Sequence, residues 1–200
     1  MDALPRKHLS PAEYLEIERA AEWKSEYYEG EMFGMAGTSK EHATIAYNVA
    51  GELHSRLKGG ECRGFIADMR VHIEQSGLYT YPDIAIVCGK PEFLDGSFDT
   101  LLNPVVIIEI LSPSTEAYDR GEKFRLYRQL ASLREYVLIS QERPFVDQYI
   151  RDEEGRWFVV MTQGMESVLT LQSCGASIPL SALYENVEFA KPITSEQEKK

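Results

Sequence analysis

The chain has 200 residues, 44% of them hydrophobic and 26% charged, with three cysteines. Apolar residues run along its whole length, which excludes an intrinsically disordered chain and fits one compact domain with a sizeable core. A formal net charge of −11 argues against a broadly basic nucleic-acid-binding face, while leaving room for a local basic groove.

The opening stretch MDALPRKHLSPAEYLEI has no apolar signal core, and no segment has the apolar length that spans a bilayer. A reduced, cytoplasmic compartment and no membrane partner are expected. Cys62, Cys88 and Cys174 are odd in number, widely spaced and without a CxxC pair. That argues against a disulfide framework and a zinc site, and Cys88, closing an apolar run, reads as a buried thiol.

In chain order, LSPAEYLEIERA predicts a short helix with Ser10 as cap, Pro11 in the first turn and Glu13 completing a capping box. YYEGEMFGMAG predicts a turn or hairpin around Gly30. TSKEHATIAYNVAGELHSRLKGG predicts the clearest helix, with Thr38 and Glu41 as a second capping box and Gly59 and Gly60 as its stop. Ile45, Ala46, Val49, Leu53 and Leu57 recur at helical spacing. His42 lies on the same stripe and should point inward at the helix start. There it reads as a core histidine or as a ligand.

GFIADMRVHIE predicts one strand, and TYPDIAIVCG another, entered through Pro82. PEFLDGSFDTLLNP reads as a loop-like insertion. PVVIIEILS is the most apolar strand. DRGEKFRLYRQLAS predicts a helix with Asp119 as N-cap, Glu122 completing the pattern, and Phe124, Tyr127 and Leu130 along one side. REYVLIS, PFVDQYIR, RWFVVMTQ and SVLTLQ read as successive strands. Two apolar strands separated by a helix imply a parallel crossover, and the trailing strands imply antiparallel additions. The expected fold is α/β (α+β): a mixed central β-sheet flanked by helices, as one domain over residues 1–190 followed by a frayed polar tail over 191–200.

Two carboxylates interrupt strands that otherwise read as buried: Asp83 in YPDIAIV and Glu109 in VVIIEIL. An ionised carboxylate in an apolar interior must be paired, protonated or bound to a cation. Two of them converging from neighbouring strands suit a hard cation such as magnesium or manganese. Lys123, on the first turns of the following helix, could hold the two acids as an ion pair or stabilise charge on a phosphate. The less specific readings are that Asp83 caps a strand start, Lys123 is an exposed helix lysine, and Glu26 is a hairpin surface residue. Ser112 and Ser114 read as loop hydrogen-bonders, and Tyr79 and Tyr81 as sheet-surface packing or base-stacking groups.

The run YPDIAIV followed by VVIIEILSPSTEAYDRGEKFRLYRQLASLREYVLIS resembles the Uma family of bacterial restriction-endonuclease-like proteins, within the PD-(D/E)XK nuclease superfamily. SEYYEGEM around Glu26 to Gly30 and MAGTSKEHATI with His42 are similar too, so the resemblance covers roughly residues 10–185. It implies a restriction-endonuclease-like core with Asp83 and Glu109 as metal ligands for Mg2+ or Mn2+ and the Ile110 carbonyl as a further oxygen. It also implies that Glu26 and His42 stand near the site. The superfamily lysine normally stands two residues after the glutamate, where this chain has Leu111. The Uma-like pattern places a lysine on the next helix, which Lys123 matches. The activity implied is metal-dependent endonucleolytic hydrolysis of DNA, with a homodimer suited to cutting two strands and with Arg63, Arg70, Arg120, Arg125 and Arg128 as a local basic patch. The alternative is a non-catalytic binding or assembly module that keeps the nuclease fold.

Overall fold

In the computed structural model, residues 8–35 and 37–189 are described. The expected tail at 191–200 lies outside them. The first helix, α1 (Pro11–Ala20), starts as its sequence dictates: the Ser10 side chain accepts from Glu13 N–H and Glu13 reaches back to the Ser10 N–H. A hairpin follows, β1 (Ser25–Tyr28) and β2 (Glu31–Gly34), turning at Glu29 and Gly30.

The long helix α2 (Lys40–Leu57) begins one residue later than the Thr38 box implies. Ser39 is its cap, and its hydroxyl accepts from the His42 N–H. Ile45, Val49, Leu53 and Leu57 form its buried stripe, and Gly59 at φ +81 ends it.

The GFIADMRVHIE segment is not one strand. It divides into β3 (Cys62–Ile66) and β4 (Arg70–Ile73), broken at Ala67, whose φ of +27 turns the chain out of the ladder. β5 (Leu78–Thr80) and β6 (Ile84–Cys88) flank Pro82. The loop-like insertion holds a short strand, β7 (Thr100–Leu101).

VVIIEIL forms β8 (Val106–Leu111), buried at every position. The next helical segment starts at Glu116, earlier than expected. It runs as α3 (Glu116–Tyr118), a π-helical turn (Asp119–Lys123) and α4 (Phe124–Tyr127). Asp119 is therefore an interior residue of the segment rather than its cap. β9 (Glu135–Ser140), β10 (Phe145–Arg151), β11 (Trp157–Gln163), β12 (Val168–Leu171), β13 (Ala176–Pro179) and α5 (Leu180–Leu183) complete the order.

The mixed sheet has six strands in the order β11-β10-β9-β8-β6-β3. β8 and β9 are parallel across the expected crossover, and the other neighbours are antiparallel. Alternate side chains of its strands feed two cores. Ile84, Ile86, Ile108 and Ile110 pack under α2. Ala85, Ile107, Leu111 and Leu138 pack under Leu126, Tyr127 and Leu130. A second sheet, β2-β1-β5-β4-β7, stands beside the first. The cysteine reading is corrected here. Cys62 and Cys88 lie directly opposite on β3 and β6 and form a disulfide, while Cys174 is free. Sequence spacing does not show that two residues 26 apart meet across one antiparallel pair.

Candidate active site

Strand register builds the site. The antiparallel pairing of β6 with β8 sets Ile84 opposite Ile108 and stops there, so Asp83, one residue earlier, comes to lie opposite Glu109. The ladder is continued by side chains. Ile110 N–H donates to Asp83 Oδ2 at 2.7 Å, and Asp83 N–H donates to Glu109 Oε2 at 3.4 Å. His42, at the start of α2, donates from Nε2 to Asp83 Oδ1 at 2.9 Å. Pro82 carries no N–H, which suits the place where regular pairing ends.

Lys123 stands at the centre of the remaining acids. Its Nζ is 3.0 Å from Glu109 Oε1, 3.3 Å from Glu26 Oε1 and 3.7 Å from Asp119 Oδ1. The last contact is an i,i+4 pair within the helical segment. Glu26 reaches the centre from β1, where it also accepts from the Thr80 hydroxyl. Tyr127 donates to Glu109 Oε1 at 3.0 Å, and Tyr136 donates to the Asp119 carbonyl at 3.0 Å.

The cluster carries more negative than positive charge. Burial pushes the Glu109 carboxyl up to about 8, with Lys123 opposing the shift and Asp83 and Asp119 adding to it. Burial raises the Asp119 carboxyl as well. For Lys123, burial alone would favour the neutral amine, but Glu109, Glu26 and Asp119 outweigh it and hold the ammonium well above its ordinary range. Lys123 is thus a fixed cation, not a base. Among the described residues, no three His, Cys, Asp or Glu side chains stand as a ready ligand set around one point. The middle of the acids is taken by the Lys123 ammonium.

A family profile described as "Uma2: Putative restriction endonuclease" matches residues 11–181. The chain belongs to the Uma2 family. Two uncharacterized Synechocystis sp. proteins are similar to it at 35% identity. One, slr1290, aligns over 92% of this chain and 96% of its own length, and the other, sll1609, over 79% and 89%. The fold is shared with a crystal structure from Anabaena variabilis, titled as that of a putative nuclease belonging to DUF820. The TM-score is 0.73 at 18% identity, over 88% of this chain and 97% of that one.

In this Uma2 protein, Asp83, Glu109, Lys123, His42, Glu26 and Asp119 all meet in one cluster. Glu26 is not a plain hairpin surface residue, and Lys123 is buried rather than exposed. The Asp119–Glu122 spacing imitates a capping box, yet the preceding turn is already helical, so Asp119 turns inward. Tyr127, Tyr136 and Thr80 join the cluster without a sequence motif that marks them. Tyr127 carried a signal, since it shares the inward side of its helix with Phe124.

The expected arginine patch does not assemble. Arg70 is buried and bound to Thr100, Tyr81 and Asp99. Arg120 is paired with Asp147 and Glu116, and Arg125 with Glu122, leaving Arg63 and Arg128 as exposed members. Tyr79 and Tyr81 are buried. Tyr79 stacks on His72 and Tyr81 donates to Glu18, so neither offers a face to a base. Ser112 and Ser114 do hydrogen-bond to each other within their loop.

Proposed function

We propose that this protein is a metal-dependent endonuclease that hydrolyses DNA phosphodiester bonds. Asp83 and Glu109 would hold Mg2+ or Mn2+, and Lys123 would stabilise charge on the phosphate. The observation that carries the reading is the excess of buried and half-buried carboxylate where the pairing of β6 and β8 ends. Glu26, Glu109 and Asp119 surround one ammonium, with Asp83 bonded to His42 beside Glu109, so one lysine faces three acids and burial still disfavours the charged form of Glu109.

The donors fit a hard cation. They are oxygens, and magnesium is commonly held by one or two carboxylates with waters and substrate phosphate in its other positions. The Ile110 carbonyl supports the set, because a strand residue's N–H and C=O lie on the same side, and the Ile110 N–H faces Asp83. A cation held there supplies Lewis acidity toward a phosphoryl oxygen. Asp83 is itself oriented by His42 and the Ile110 N–H. Glu109 is oriented by Tyr127 and Lys123. These contacts orient the two carboxylates before any ligand arrives, and a cation held by Glu109 would take over part of the place that the Lys123 ammonium now fills. Lys123, permanently charged, offers electrostatic stabilisation and takes no proton.

The test is manganese binding by calorimetry at neutral pH, with and without a short DNA duplex. Wild type is expected to bind, while Asp83→Asn and Glu109→Gln are expected to lose binding. Equal binding by the variants, or none by wild type in either condition, overturns the ligand assignment. A non-catalytic module keeping the fold is the second reading. It is favoured by the Lys123 ammonium already standing among the acids, as a structural ion pair would.

A further inference from the structure

We propose that the groove between α2 and β3 is the seat of the substrate strand. Its phosphates would meet Lys58 and Arg63, and its path would end at Asp83. This rests on the nuclease reading above and adds where the nucleic acid lies.

The groove has a volume of about 420 Å³ and an apolar floor that includes Leu57, Ile66 and Ile84, with His54, Lys58 and Arg63 on its rim. Its direction follows from the fold. The first turn of α2 places His42 beside Asp83, and the helix ends at Leu57 with Lys58 as its C-cap. β3 starts at Cys62 near that far end and returns to Ile66, opposite Ile84 and next to Asp83. His42 and Lys58 are sixteen positions apart on one helix. At 1.5 Å per residue that is about 24 Å, or about seven nucleotide steps of 3.4 Å along one strand.

Charge selects the occupant. The chain carries −11 overall, and many of the cations among the described residues are tied to acids, as Arg19, Lys24, Arg56, Arg120 and Arg125 are. Lys58 and Arg63 are exposed and form no ion pair or side-chain hydrogen bond among the described residues. Glu61, exposed just before β3, opposes them at the far end only. Free cations above an apolar floor that ends at Ile66 and Ile84, next to the half-buried Asp83, suit a phosphate backbone with sugar or base faces resting on Ile66, which is 60% exposed. Gly64 lines the groove, and a Cβ there would meet nothing within 4 Å, so a longer side chain has room at this position.

The test is binding of a fluorescein-labelled DNA, as duplex and as single strand, by fluorescence anisotropy over a salt series without divalent metal. The double variant Lys58→Ala/Arg63→Ala is expected to reduce the slope of log K against log salt by about 1.8 for duplex and about 1.4 for single strand. Manganese binding should stay as in wild type. Gly64→Arg should tighten DNA binding and Gly64→Glu weaken it, each by roughly tenfold. Opposite shifts at one open position cannot come from unfolding. If wild type binds DNA and the Gly64 pair shifts it in the same direction or not at all, the groove is not the seat and the nuclease reading stands. If wild type binds neither DNA form while still binding manganese, the groove proposal falls together with the DNA substrate. Binding of an extended peptide along the β3 edge, with no DNA bound, would also overturn it.

Discussion

Glu109 and Lys123 separate the two functional readings at the level of single side chains. Removing one partner of a buried ion pair leaves the other uncompensated, at a cost of about 3–5 kcal/mol. For Lys123→Met the uncompensated groups are three acids. Urea unfolding should therefore show a loss of that order at pH 8. A smaller loss is expected at pH 5, where Glu109, pushed up to about 8 by burial, holds a proton. If Lys123 only stands where a cation would be, the same variant should bind manganese more tightly while cleaving less. Weaker binding would make Lys123 part of the metal site's architecture. Tyr127→Phe removes one donor to Glu109 and should lower stability by about 1 kcal/mol, read by thermal melting. Asp83 and Glu109 were legible in the sequence because a carboxylate in an apolar strand demands a partner. Glu26 is placed near the site by the resemblance alone, and Asp119 reads as a cap and a candidate supporting group. What draws them inward is Lys123: its i,i+4 spacing from Asp119 is local and hidden only by the cap reading, whereas its contact with Glu26 joins distant parts of the chain.

Elements were legible where local chemistry specifies them and obscure where long-range pairing does. The Ser10–Glu13 box and the α2 stripe are local, and both are present. The break at Ala67, the strand β7 and the strand β13 depend on partners distant in sequence or on one unusual backbone angle, so periodicity passes over them. The same limit hid the Cys62–Cys88 link. A bridge closing 26 residues is worth about 3 kcal/mol in the chain-entropy account. Reduction, or Cys62→Ser, should lower the unfolding free energy by that amount, with a thiol count rising by two on reduction of the native protein. An unchanged thiol count would mean the pair is already reduced. β11 is an edge strand, and Phe158, Val159, Val160 and Met161 are consecutively exposed along it. Such an edge invites strand addition during unfolding. Val160→Lys should raise the temperature at which light scattering begins while leaving the melting midpoint nearly unchanged.

For the whole molecule, the mixed sheet and its parallel crossover followed from the order of apolar strands. The second sheet did not, because β1, β5, β4 and β7 are short and assemble from separated stretches. Where the two sheets adjoin, Glu26 of the second meets Glu109 of the first through Lys123, so the charge state of the cluster bears on the stability of the entire fold. In the unfolded chain Glu109 titrates near the ordinary glutamate value of 4.5, and in the folded protein burial pushes it up to about 8. Between these values the folded state holds the extra proton, so stability is greatest below pH 4.5 for this group and falls as pH rises, levelling off near pH 8. The steepest slope for one proton is about 1.4 kcal/mol per pH unit. A divalent cation binds the ionised carboxylate, so added manganese should stabilise the protein more at pH 8 than at pH 5 and flatten the fall. Urea denaturation at several pH values, with manganese and with a chelator, measures both curves. Metal-free stability that instead rises from pH 5 to pH 8 would mean that Lys123 alone supports the Glu109 charge. The excess of carboxylate would then be satisfied within the fold, and the structural reading of the cluster would prevail over the metal site.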